Sequence, residues 1–134
     1  MTVAANTAYL YRVKAVKANT ASAASGFDLA TTVVFDPEPI GFLTEVSAQP
    51  ILQLRTAVNA LRALWSTTAA PFPFTDPSLS GVEAKAIHIL ELRDFLTDVR
   101  SDLGLPIWQY TGPAPQAFQQ FNASDINDLR GGVR

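Results

Sequence analysis

The sequence predicts an α+β chain: an N-terminal β-hairpin followed by a small array of three helical repeats. Three observations carry this. Residues 9–18 alternate at period two, as a strand does. Residues 51–65 and 89–103 place apolar side chains three and four apart, as a helix does. The pattern Ala-x-x-Ile-x-x-Leu-Arg occurs three times, ending on Arg55, Arg93 and Arg130, with 38 and then 37 residues between copies.

In the first element, Tyr9, Tyr11, Val13 and Ala15 share one face, and Leu10, Arg12, Lys14 and Val16 share the other. This is the pattern of a half-buried strand with a mixed outer face. Residues 19–25 are small and polar, which predicts a turn. Residues 27–35 are rich in Thr and Val, which predicts the returning strand. A two-stranded hairpin is marginal alone in water and has two open edges. Residues 1–34 are therefore expected to lie on the helical part or to add to a sheet of another chain. The candidate edge for such β-augmentation is Tyr9, Tyr11 and Val13 with Leu29, Thr31 and Val33.

The repeats are expected at residues 35–72, 73–109 and 110–134. Each opens on an aromatic followed by a proline turn, led by Phe35, Phe74 and Tyr110 and turned at Pro37, Pro77 and Pro113. In the first helix Ile51, Leu54, Val58, Leu61 and Trp65 form one stripe, and in the second Ile89, Leu92, Leu96, Val99 and Leu103 do. A further stripe through Ile87, Leu90 and Phe95 predicts that the second helix is buried on more sides, as befits a central repeat. Gly104 and Pro106 are expected to end it. Asn122 or Ser124 caps the third.

Composition narrows the function classes. Charged residues make up only 16% of 134, against about 25% in ordinary globular chains, so the surface is unusually neutral. Such a surface suits an outer-surface protein or one covered by neighbours in an assembly. The net charge is −2 and the cations are scattered, which argues against nucleic acid as a partner. With no cysteine there is no disulfide, thiolate nucleophile or Cys-ligated zinc. No apolar run approaches the ~18 residues of a membrane span. The first seven residues lack the basic and apolar regions of a signal peptide.

Residues 7–16, with Ser22, Ala23, Ala24 and Ser25 and then Ala30, Thr31 and Thr32, resemble the end of a bacterial fibronectin type III domain. The resemblance implies that the hairpin is the last two strands of that fold. It also implies that Tyr9 occupies the tyrosine-corner position, its hydroxyl tied to the chain just upstream. Residues 85–93, with Lys85, Ala86, His88, Ile89, Glu91, Leu92 and Arg93, resemble a tandem helical repeat that follows such domains in secreted bacterial proteins. That resemblance implies an extracellular or cell-surface setting.

Candidate sites follow from these elements. An Arg directly after the stripe leucine lies at the edge of the apolar face, so Arg55, Arg93 and Arg130 are expected to clamp the proline-turn loops structurally. A ligand-binding row of arginines is the rival reading. His88, the one histidine, is expected to be structural and partly buried. Glu91 is its nearest candidate partner for acid–base work, but Pro50 and Asp125 hold the equivalent places of His88. Asp94, Asp98 and Asp102 read as a solvated acidic face, with no metal site. Trp65, Phe72, Trp108 and Tyr110, among prolines, form a candidate aromatic surface for carbohydrate or peptide. Asn122, Ala123 and Ser124 fit a glycosylation acceptor, which helix capping explains equally. The sequence shows no phosphate loop, catalytic triad or zinc-protease motif. The expected function is therefore non-enzymatic and without cofactor: a structural subunit that pairs with itself or with another surface protein.

Overall fold

The computed structural model describes residues 3–41, 47–116 and 121–134. It is an α+β structure, with a small antiparallel strand region followed by three helices. Strands β1 (Ala8–Tyr11) and β4 (Asp28–Thr31) pair in the register Ala8 to Thr31 and Tyr11 to Asp28. Strands β2 (Val16–Lys17) and β3 (Thr20–Ala21) pair beyond them. The helices are α1 (Ala48–Trp65), α2 (Ala86–Asp102) and α3 (Ala123–Gly132).

The hairpin turns tighter than the sequence predicts. Its turn is Ala18 and Asn19, both at positive φ, and residues 20–25 belong to the returning arm. Val13 and Ala15 explain why so polar a stretch is paired. Their N–H groups donate to the hydroxyls of Ser25 (2.9 Å) and Ser22 (3.0 Å), while their carbonyls accept from the N–H groups of the same serines. From the Tyr11–Asp28 pair to Val13–Ser25 one arm advances two residues and the other three, and the same step recurs to Ala15–Ser22. Each step is a bulge, with a serine hydroxyl standing in for a ladder carbonyl. The regular returning strand is correspondingly shorter than residues 27–35.

Ala8 and Leu29 are buried and Leu10 partly so, which sets the inward face of the hairpin. They join Val33, Phe35 and Ile40 in one core with Ile51, Leu54, Val58 and Leu61 of α1 and Ile89, Leu92 and Leu96 of α2. Ile126, Leu129 and Val133 complete it. Thus the hairpin base lies on the helices, chiefly α1.

The helix ends follow local chemistry. The Asn122 side chain accepts from the N–H groups of Ser124 and Asp125 and so caps α3. At the end of α2, Gly104 takes φ +68° and the Leu105 N–H donates to the Arg100 carbonyl, a Schellman closure that ties off the last turn. The further stripe does not bury another face of α2. Ile87 is 42% exposed, and Leu90 and Phe95 are only half-buried. The reason is that the three helices do not stack in a line. Each packs on both others, so none is central.

Candidate functional site

Three arginines and three loops build the centre of the molecule. Arg55 donates from Nη2 to the Thr75 carbonyl (2.6 Å) and from Nη1 to those of Asp76 (2.8 Å) and Pro77 (3.3 Å). Arg93 donates to the Gly112 carbonyl (3.4 Å) and to Asp125 Oδ1 (2.9 Å). Arg130 donates to the Pro37 carbonyl (2.6 Å). Each guanidinium also lies over the aromatic that opens its loop: Phe74 at 4.7 Å, Tyr110 at 4.2 Å and Phe35 at 5.1 Å.

The order of these contacts is cyclic. The first repeat's arginine holds the loop of the second, the second's holds that of the third, and the third's returns to the first. A second set of contacts fastens each loop to its own helix, through the residue two before each arginine. Gln53 exchanges hydrogen bonds with the Asp36 backbone (both 3.3 Å). Glu91 accepts from the Thr75 N–H (3.1 Å) and Asp128 from the Thr111 N–H (2.9 Å). Asn127 adds two hydrogen bonds to Ile40 at the closing junction. The roles of Gln53, Glu91 and Asp128 are not evident from sequence, although their fixed place before the arginine was the available signal.

All three arginines are buried. Burial lowers the pKa of Arg55 and of Arg130, with Glu91 and Asp76 opposing it at Arg55. An arginine retains its charge through such a shift, so each loop is held by charge-assisted hydrogen bonds inside the protein. No arginine of the row faces a free surface.

His88 is fully buried rather than partly so. Its Nδ1 accepts from the Lys85 N–H at 3.1 Å, so in the neutral ring Nε2 carries the proton and faces Asp76 Oδ2 at 3.3 Å. Asp125 does the same work in the third repeat, accepting from the Asn122 N–H at 3.0 Å. The two residues, chemically unlike, share a capping role at the third helical position. Glu91 is engaged by Thr75 and by Arg55 (3.8 Å), apart from the histidine's partners. Among the described residues no group of three His, Asp or Glu is placed to hold a metal ion.

The candidate aromatic surface is not one surface. Phe72 is buried, stacked on Phe95 at 4.2 Å and covered by Arg62 at 4.1 Å. Trp108 covers Gly131 and Gly132 so closely that a Cβ on either would stand 2.7 and 2.9 Å from its ring. Tyr110 lies beneath Arg93 with its hydroxyl buried and, among the described residues, unpartnered, and burial pushes its pKa up to about 12. Only Trp65 stands in solvent, 53% exposed. Beside these plugs a cleft of about 370 Å³ runs past Pro71, Phe72, Pro73, Phe74 and Pro77, with Thr56 and Asn59 on its helical wall.

The hairpin beyond Tyr11 is the opposite case. Of residues 12–27 all but Ala24 are exposed, including Val13 at 63%, Val16 at 72% and Phe27 at 57%. The Thr32 N–H donates to the Thr7 carbonyl, which sets the ladder's alternation: Tyr9 and Tyr11 bond across the hairpin, while Ala8, Leu10, Leu29 and Thr31 turn their backbone groups outward. The expected pairing edge is corrected accordingly. Tyr9 and Tyr11 do not belong to it, Val13 is tied to Ser25, and the side chains of Leu29 and Val33 are in the core. Thr31 retains outward-directed backbone groups, whereas the Leu29 N–H donates to the Asp28 carboxylate at 2.8 Å. The Tyr9 hydroxyl accepts from the Ala4 N–H at 3.2 Å.

The chain matches no known family model, no curated protein and no solved structure. No helix among the described residues is long and apolar enough to cross a membrane.

Proposed function

We propose that this protein is a non-enzymatic structural or interaction module of a bacterial cell-surface or extracellular assembly, and that its contact element is the projecting hairpin. One observation carries the reading: a two-stranded ribbon holds Val13, Val16 and Phe27 in solvent, with no layer over them among the described residues. A ribbon of this kind is unstable as a free-standing element and invites a partner. The ring of arginines supports the same reading, because it spends the strongest polar groups on holding loops. The resemblance to the last strands of a fibronectin type III domain is supported by the Tyr9 hydroxyl, which is tied to Ala4 five residues upstream. The extracellular setting rests on that resemblance.

The test is the mass in solution by light scattering over a dilution series, with negative-stain microscopy of any large species. Oligomers or filaments that dissociate when Val13 and Phe27 are both replaced by Asn support the reading. A compact monomer at every concentration overturns the self-assembling form. It would favour a second reading, a carbohydrate- or peptide-binding module, for which the proline- and phenylalanine-lined cleft is the supporting observation.

A further inference from the structure

The charges of this chain are segregated. Residues 1–34 carry three basic residues, Arg12, Lys14 and Lys17, against one acidic, Asp28. Residues 35–134 carry seven basic against eleven acidic. Of those seven, Arg55, Arg93, Arg100 and Arg130 are buried among carbonyls and Arg62 is stacked on Phe72, so only Lys85 and Arg134 remain exposed. Among the described residues the outside of the body thus carries an excess of acidic groups, Asp36, Glu38, Glu83, Asp94, Asp98 and Asp102, while three of the five exposed cations lie on the hairpin.

The two sets of charge also have matching spacing. Arg12 and Lys14 lie two apart between β1 and β2, about 6.6 Å along an extended chain. Val16, two residues further on, is 72% exposed, and Phe27 lies beneath the Arg12 guanidinium at 5.4 Å. On α2, Asp94, Asp98 and Asp102 are all exposed and recur every four residues, about 6 Å apart along one ridge. None of them has an ion pair or hydrogen bond among the described residues.

We propose that the hairpin docks on a second copy of this chain, with Arg12 and Lys14 of one copy against Asp94 and Asp98 of the next. The inference rests on the reading of the hairpin as the contact element and names its partner. Val16 and Phe27 supply the apolar part of the contact, and the charges supply register and orientation. The two surfaces are different patches of one molecule, so the contact is heterologous and propagates head to tail, into a ring or a filament.

Two doubly neutralised variants test it: Arg12→Ser with Lys14→Ser, and Asp94→Asn with Asp98→Asn. All four positions are exposed, and circular dichroism verifies that each variant folds. Each alone should associate about tenfold more weakly than the native chain, the loss expected of two surface ion pairs. The equimolar mixture should form a 1:1 dimer, since the second variant retains its hairpin and the first its ridge. Native oligomers should also weaken as salt rises from 50 to 500 mM, buffer settings at about 14 and 4 Å of screening length. Native oligomers unaffected by both variants would overturn the α2 ridge as the partner surface while leaving the hairpin reading standing. A native chain that stays monomeric would overturn both. Variants that both dissociate, yet give no dimer on mixing, would overturn the head-to-tail arrangement.

Discussion

Arg130 and Pro37, 93 residues apart in the chain, are joined by a hydrogen bond of 2.6 Å from guanidinium to carbonyl. Through it the last helix holds the loop that precedes the first, and three successive repeats become a closed ring. The Arg134–Glu38 ion pair lies at the same junction. An open array can lose a terminal repeat alone, because each unit touches only its neighbours. A closed one has no terminal unit to lose.

Replacing Arg130 by Ala should therefore destabilise the whole protein, by about 2–3 kcal/mol, the range for a hydrogen bond to a charged group together with a carbonyl left unpaired. Arg55→Ala and Arg93→Ala should each cost as much or more, since Arg55 serves three carbonyls and Arg93 also pairs with Asp125. Lysine at position 55 should recover only part of the loss, because one ammonium does not reproduce a planar fork aimed at separate carbonyls. Urea unfolding followed by circular dichroism measures all of these. A separate early transition in Arg130→Ala, with the remainder unfolding at the native midpoint, would show that the ring behaves as an open array.

Gly132 is a steric requirement rather than a conformational one. A Cβ there would stand 2.6 Å from Leu96 Cδ2 and 2.9 Å from Trp108 Cγ. Gly132→Ala should cost about 1–3 kcal/mol, the usual penalty for overpacking a filled site. It should also alter the fluorescence of Trp108, which a Trp65→Phe background isolates. An unshifted midpoint with unchanged emission would mean that the indole moves aside freely.

The stripes that build the helices were legible because α-helical periodicity is local. Ile51, Leu54, Val58 and Leu61 are fully buried, and so are Ile89, Leu92 and Leu96. Trp65 continues the stripe in sequence but stands on the last residue of α1, past the end of the core, and is exposed. The hairpin turn was misplaced because a serine in a ladder looks like a serine in a loop. What distinguishes Ser22 and Ser25 is the use of their hydroxyls as carbonyl substitutes, which no local pattern records. The recurrence of the arginines pointed to the loops. Closure was hidden, because the pairing of Arg130 with Pro37 has no signature at either position, and an alignment of repeats on the page is linear.

Tyr110 should make the protein sensitive to alkali. Burial raises its pKa to about 12, above the ordinary value near 10. The folded state then holds the phenolic proton more tightly than the unfolded state does. This contribution to stability is complete below pH 10 and is lost as the pH rises from about 10 to about 12. Absorbance at 295 nm should show one tyrosine ionising late, together with unfolding. Tyr110→Phe should remove that step. Because the hydroxyl has no partner among the described residues, the substitution should leave stability at neutral pH unchanged or raise it by up to about 1 kcal/mol. A loss of 2 kcal/mol or more, on the scale of a broken hydrogen bond, would show that the hydroxyl is bonded in solution.

His88 and Asp125 answer the same structural demand with different chemistry. Each accepts from the backbone N–H three residues before it, and each is buried. Asn at position 88 offers a carbonyl oxygen at a similar reach, so His88→Asn should retain much of the capping bond. His88→Ala should cost about 2–4 kcal/mol, from the vacated ring and the unpaired Lys85 N–H. Asp125→Asn should keep the cap but weaken the pair with Arg93. Asp125→Ala should cost more than either, about 3–5 kcal/mol, because it leaves a buried guanidinium without its carboxylate. The order expected from urea midpoints is therefore Asn above Ala at both positions, with Asp125→Ala lowest. If His88→Asn falls as far as His88→Ala, ring packing rather than the capping bond is what His88 contributes.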